Sequence, residues 1–205
     1  MRRRKLILGG AGLLGAFGFT LGLGAWRSGD LRRLTDVKET TNDRPDLSRM
    51  AWRLIDDQGN PVVPQDWLGQ ASMVFFGFTW CPDVCPTTLM DIADWLEGLG
   101  QDADRIRVAM ITVDPERDSP EILAEYLSNF DIRIRGLTGS ADAVAKAAEA
   151  FGVTYYTRLP RDDGDYTMNH TSGVFVFRPS GELASTIDFH EERRFAVPKI
   201  RRAIG

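Results

Sequence analysis

Cys81-Pro82-Asp83-Val84-Cys85 contains the only two cysteines in a chain of 205 residues. Two thiols with three residues between them can grip a soft metal ion, or cycle between dithiol and disulfide. At i and i+4 of a helix, their Cβ atoms would stand about 5–6 Å apart. That separation suits two sulfurs on one metal, and it is within reach of a disulfide. The partial positive charge and free N–H groups of a helix N-terminus favour thiolate, which is both the nucleophile and the metal ligand. Pro82 suits the start of such a helix, having no N–H to lose. A static disulfide is the plainer reading, but so short a loop constrains the unfolded chain little. The spacing is one residue longer than the Cys-x-x-Cys of thioredoxin-like oxidoreductases.

Two sulfurs rarely complete a metal site, and the chain has two histidines, His170 and His190. His170 falls in Tyr166-Thr167-Met168-Asn169-His170-Thr171-Ser172-Gly173, just before a predicted strand. His190 precedes Glu191 and Glu192 and reads as a solvated residue at a helix cap. Two thiolates and an imidazole form a soft, three-coordinate set. Thiolates select monovalent copper, and imidazole also suits divalent copper. Structural zinc usually takes four protein ligands, and no fourth is evident, although a water could complete such a site.

These residues need elements to hold them. Trp52 to Val63 reads as a small hairpin turning around Gln58-Gly59-Asn60. Met73 to Phe78 is a continuous apolar run, the pattern of a strand buried on both faces. Phe75, Phe76 and Phe78 are therefore core. Pro86 to Leu99 has helical periodicity, with Leu89, Ile92, Ala93 and Leu96 on one face. Ile106 to Val113 is a second buried strand. Ser119 caps a helix running from Pro120 towards Phe130. Ile132 to Leu137 is a short strand, and Ala141 to Phe151 a helix. Val174 to Arg178 and Leu183 to Asp188 flank the turn Pro179-Ser180-Gly181-Glu182 as a hairpin. Glu191 to Ile204 is a closing helix, interrupted or begun again at Pro198. This order implies an α/β layer with a parallel centre and an antiparallel edge, and it matches a thioredoxin-like fold with a central mixed sheet. The cysteine pair then lies at the end of the first central strand, where the first helix opens. The loop entering the hairpin faces that helix start, which would bring His170 towards Cys81 and Cys85.

Charge is uneven along the chain. The formal net charge is -4; setting aside Arg2, Arg3, Arg4 and Lys5 leaves 21 basic and 29 acidic residues, a balance of -8. An acidic body argues against nucleic acid as a partner. Residues 1–5 are a basic start, and residues 6–26 run for 21 positions without a charge. About 20 apolar residues span a bilayer, and glycines are tolerated in lipid better than in a water-exposed helix. The reading is a transmembrane anchor, with a cleaved signal peptide as its rival; the stretch is long and lacks a clear Ala-x-Ala motif. The basic start stays in the cytoplasm, which sends the acidic body to the outer, oxidising side. Residues 27–45 read as a polar tether and residues 46–205 as the folded domain.

Three ordered segments resemble the Sco/SenC family of membrane-anchored copper chaperones for cytochrome oxidase assembly. The first is Phe75 to Leu89, with Thr79-Trp80-Cys81-Pro82-Asp83-Val84-Cys85-Pro86 at its centre. The second is Thr112-Val113-Asp114-Pro115-Glu116-Arg117-Asp118-Ser119-Pro120. The third is His170 with the apolar strand and Pro179-Ser180-Gly181 beyond it. The likeness runs from about Trp52 to the C-terminus. It implies a thioredoxin-like domain that binds copper, monovalent or divalent, through Cys81, Cys85 and His170. It further implies a bacterial inner-membrane protein facing the periplasm, with the mitochondrial inner membrane as the other setting. The implied partners are cytochrome c oxidase subunit II or another copper-receiving protein, and an upstream copper donor or thiol reductant. The family commonly has Asp before the ligand histidine, where this chain has Asn169, so an anionic neighbour is lost. Trp80 would shield the sulfurs from water. Arg117, between Asp114 and Asp118, would lock its loop by ion pairing, a role favoured over direct metal binding by this group, and Asp118 could instead cap the helix at Pro120. Asp83 reads as a helix-start charge or part of a docking surface.

Two functional classes follow. One is a copper metallochaperone, not an enzyme in the usual sense. The other is a thiol–disulfide oxidoreductase, with Cys81 and Cys85 as the redox pair, acting on oxidase or other exported proteins. A thiol peroxidase is a weaker third, because paired thiols and His170 suit it less.

Overall fold

The computed structural model describes residues 44–158 and 166–205. Its frame is three hydrophobic strands side by side. Strands β3 (Ala71–Gly77), β4 (Ile106–Thr112) and β5 (Ile134–Thr138) run parallel, with β4 between the other two. The hairpin β1 (Leu54–Asp56) and β2 (Pro61–Val62) joins antiparallel to β5. The hairpin β8 (Val174–Phe177) and β9 (Leu183–Ile187) joins antiparallel to β3. The resulting seven-stranded sheet has the order β2-β1-β5-β4-β3-β8-β9. Parallel neighbours require crossovers, and helices supply them.

Side-chain alternation divides the core between the two faces. Met73 and Phe75 of β3, with Val108 and Met110 of β4, face one cluster. Helices α1 (Val84–Leu99), α2 (Pro120–Leu127) and α4 (Arg193–Ile204) cover it. Val74, Phe76, Ala109 and Ile111 face the other cluster, under α3 (Ala141–Phe151) and the segment from Leu47 to Trp67. Every residue of β3 is buried, as an apolar run without alternation requires. Phe151 anchors the second cluster, meeting the rings of Trp52, Phe76, Phe175 and Phe177 at centroid distances of 5.2 to 6.3 Å.

Local chemistry sets the boundaries. Ser119 and Ser140 cap α2 and α3 by accepting the amides of Ile122 and Ala143. Gly152 ends α3 in the left-handed region, at φ 69°. In the first hairpin, Asp56 accepts the amides of Gln58 and Asn60, which closes the turn expected there.

The structure corrects four expectations. On α1, Leu89, Ile92 and Leu96 are buried as expected, but Ala93 is only half-buried and Trp95 takes its place on the inward face. α2 ends at Leu127. α4 runs unbroken through Pro198, held by buried Val197 and Ile200 on the sheet side. Residues 155–158 and 167–170, where no strand was expected, form a separate antiparallel ribbon: β6 (Tyr155–Arg158) and β7 (Thr167–His170), with Tyr155 opposite His170. Among the described residues, no helix is long and apolar enough to cross a membrane. The anchor expected over residues 6–26 and nearly all of the tether lie outside the described residues.

Candidate metal centre

Strand β3 delivers the cysteines. It ends at Gly77; Phe78 is buried, and the amide of Cys81 donates back to the carbonyl of Phe78 at 3.3 Å. This turn reverses the chain into α1. The helix begins at Val84, so Cys85 lies in its first turn while Cys81 and Pro82 precede it. The expectation that both cysteines share a helical face and that Pro82 opens the helix is thereby corrected. It is Pro86 that occupies the first turn, where a missing N–H costs nothing. The Cys85 amide still donates to the Cys81 sulfur at 3.3 Å, so the helix start does meet a thiol.

The two thiols are unlike. Cys81 is half-buried, and both sulfurs are free of disulfide. A hydrogen bond from the Cys85 thiol, helped by His170 and the amides of Asp83 and Cys85, pulls Cys81 down to about 4 against the opposing effect of burial. Cys85 is 1% exposed. Donating its proton to Cys81, with burial acting in the same direction, pushes its thiol far up. Near neutral pH the pair is a Cys81 thiolate beside a Cys85 thiol.

His170 closes on the pair from β7. Its Nε2 stands 3.4 Å from the Cys85 sulfur, and its Nδ1 lies 2.9 Å from the carbonyl oxygen of Thr171. A carbonyl only accepts, so Nδ1 carries a proton, and Nε2 is the nitrogen turned towards the sulfurs. Phe78 packs edge-on to the imidazole, with ring centroids 6.0 Å apart. The structure thus brings Cys81, Cys85 and His170 together. Among the described residues, no group of three or more His, Cys, Asp and Glu side chains is arranged to hold a metal ion as it stands. The thiols hydrogen-bond to each other instead of converging on one point. The donor set itself, two sulfurs and a nitrogen lone pair, has the softness that copper takes.

The loop after β4 is built differently from its expectation. Arg117 does pair with Asp114, Nε to Oδ2 at 2.5 Å. Asp118, however, neither joins them nor caps α2. It is fully buried and accepts the hydroxyls of Thr79 and Thr112, each at 2.5 Å, and the Thr79 amide. Burial pushes its carboxyl up, against those hydrogen bonds. Trp80, expected to cover the sulfurs, is 61% exposed and lies against the Arg117 guanidinium at 5.4 Å. Asp83 is the residue before α1 but makes no side-chain capping bond. Asn169 donates to the Tyr156 hydroxyl at 2.5 Å across the ribbon. His190 adopts φ 58° and meets Asp91 at 3.1 Å, as an exposed residue ahead of α4. Tyr166, Thr79 and Thr112 were not singled out from the sequence. Only the tyrosine-rich, β-prone composition of 155–157 hints at the ribbon.

Fold and site together define a thioredoxin-like domain carrying a dithiol and an imidazole at the end of its first central strand. The chain belongs to the SCO1/SenC family, whose model matches residues 40–205. The mitochondrial SCO2 homolog of Mus musculus is 37% identical over 158 residues, 74% of this chain and 60% of that protein. Mitochondrial SCO1 of Saccharomyces cerevisiae is 34% identical over 176 residues, 82% of this chain and 59% of that protein. Such alignments thus span less than two thirds of these relatives. The structure of Bradyrhizobium japonicum ScoI with copper bound superposes with a TM-score of 0.69 at 36% identity, covering 74% of this chain and 96% of that one.

Proposed function

We propose that this chain is a copper metallochaperone that carries copper on Cys81, Cys85 and His170 and assists assembly of the binuclear copper centre of cytochrome c oxidase. The observation that carries the reading is the approach of His170 Nε2 to within 3.4 Å of the Cys85 sulfur. Membership of the SCO1/SenC family and the likeness to copper-bound ScoI support copper as the cargo.

Loading follows from the protonation states. Cys81 presents a thiolate that is half open to solvent, so it is the entry ligand. Copper arriving there displaces the proton of Cys85, because a metal binds the thiolate. The Nε2 lone pair of His170 supplies the third donor, while its Nδ1–H stays on Thr171 and fixes the ring. Release reverses the order: Cys85 recovers its proton, and a recipient's ligands take the metal at the exposed edge. The recipient in this reading is oxidase subunit II, and the residues 6–26 would hold the domain at the inner membrane, facing the periplasm.

Anaerobic copper titration of the full chain, parent beside Cys81→Ser, Cys85→Ser and His170→Ala, tests the ligand set. The parent should take about one copper per chain, the capacity of a single soft three-donor site. Either serine variant should lose monovalent copper. A His170→Ala protein that holds both copper oxidation states like the parent would sink the three-ligand assignment.

A further inference from the structure

His170 sits on a ribbon apart from the main sheet: among the described residues, β6 and β7 pair only with each other. A two-stranded ribbon alone is marginally stable in water, so its attachment decides where His170 stands. Tyr155 and Met168 give it apolar footing on the second core cluster. Its polar footing is Tyr166, immediately before β7. The Tyr166 hydroxyl donates to Asp114 Oδ1 at 2.8 Å, and its ring lies 3.8 Å below the Arg117 guanidinium. The guanidinium donates to the Tyr166 carbonyl at 3.0 Å and to Asp114 Oδ2 at 2.5 Å. Asp114 is 3% exposed and the Arg117 side chain 16% exposed, so the cluster is largely withdrawn from water. It is also tied to the other half of the site. The Asp114 amide donates to the Thr112 hydroxyl, which donates to Asp118, which holds Thr79 two residues before Cys81. A continuous hydrogen-bonded path therefore joins the cysteine turn to the root of the histidine strand.

We propose that Arg117 is a positioning residue: by clamping Tyr166 to Asp114 it sets the approach of His170 to the cysteines, and so favours divalent over monovalent copper. The inference rests on the copper reading above. Two thiolates suffice to hold monovalent copper, whereas divalent copper gains most from imidazole nitrogen. Loosening the ribbon withdraws the nitrogen and leaves the sulfurs in place. A planar fork that stacks on one ring and bonds a carboxylate and a carbonyl at once is what arginine provides and lysine does not.

The test uses the full chain with Arg117→Ala, Arg117→Lys, His170→Ala and the Arg117→Ala/His170→Ala double variant. Divalent copper is followed by its thiolate charge-transfer band and its electron paramagnetic resonance, and monovalent copper by competition with a chelator. Arg117→Ala should weaken divalent copper by about 10-fold to 100-fold, the range for residues that orient a metal ligand. Its resonance parameters should move towards those of His170→Ala, and monovalent affinity should change far less. In the His170→Ala background the arginine change should add nothing, because both act through one ligand. Arg117→Lys should resemble Arg117→Ala, and it carries the test if the alanine variant fails to fold. Equal loss of both copper states, additive effects in the double variant, or full rescue by lysine would overturn the clamp. A parent that binds neither copper state overturns the copper reading, and the clamp falls with it. A parent that binds while Arg117→Ala matches it overturns the clamp alone.

Discussion

His170 and Cys85 are 85 residues apart in the chain, and their side chains meet at 3.4 Å, nitrogen to sulfur. The contact joins the first turn of α1 to the last residue of a ribbon outside the main sheet. His170→Ala should therefore separate the two copper states. Divalent copper should lose its charge-transfer signature, while monovalent copper stays on the two sulfurs within about tenfold of the parent affinity. Parallel titrations of both states check this.

The cysteines should differ in reactivity with pH. Cys81 is pulled down to about 4 by the Cys85 thiol, and Cys85 is pushed up by giving that bond and by burial. A lowered thiol is anionic above its folded value, so Cys81 should alkylate at pH 5 to 6, with half-maximal rate near 4, while Cys85 stays inert in the folded protein. Peptide mapping after timed iodoacetamide treatment checks the order. Equal labelling of both at pH 6 would remove the asymmetric pair.

Asp118 should be a structural keystone with an unusual pH signature. Asp118→Ala strands the hydroxyls of Thr79 and Thr112, each now 2.5 Å from a carboxylate oxygen, and should cost about 2–3 kcal/mol. Asp118→Asn keeps an acceptor and should cost less. Burial raises the folded carboxyl above its ordinary 3.8, so the folded state holds the proton more tightly than the unfolded one. The stability this confers is complete below about 3.8 and is lost as pH rises through the folded value. Compared with Asp118→Asn, the parent should gain relative stability as pH falls from 7 to 4. Urea unfolding at the two pH values gives the sign.

A side chain at Gly77 should crowd the Cys85 sulfur. A Cβ there would lie 3.2 Å from the Cys85 sulfur and 3.2 Å from the Phe75 ring. Gly77→Ala should cost about 1–3 kcal/mol by overpacking. The crowded Cys85 sulfur is one of the three proposed ligands, so copper binding should fall along with stability. Thermal melting and copper titration of the variant test both halves.

The helices and strands that position the cysteines were legible in the chain because their signals are local. The unbroken apolar run of β3, the capping Ser119 and the turn glycine at 59 act within a few residues of themselves. The Cys81–Cys85 spacing and the short list of two histidines likewise pointed to the site without any geometry. Tertiary structure decided the rest, since it depends on groups distant in sequence meeting in a medium from which water is excluded. The asymmetry of the thiols arises from the burial of Cys85 and its bond to Cys81. The fate of Asp118 arises from two threonines that only the fold brings to it. The ribbon holding His170 left only a faint compositional trace, because Tyr155–Arg158 and Thr167–His170 become strands by pairing with each other, and Arg117 became more than a loop residue because Tyr166 arrives from 49 positions away.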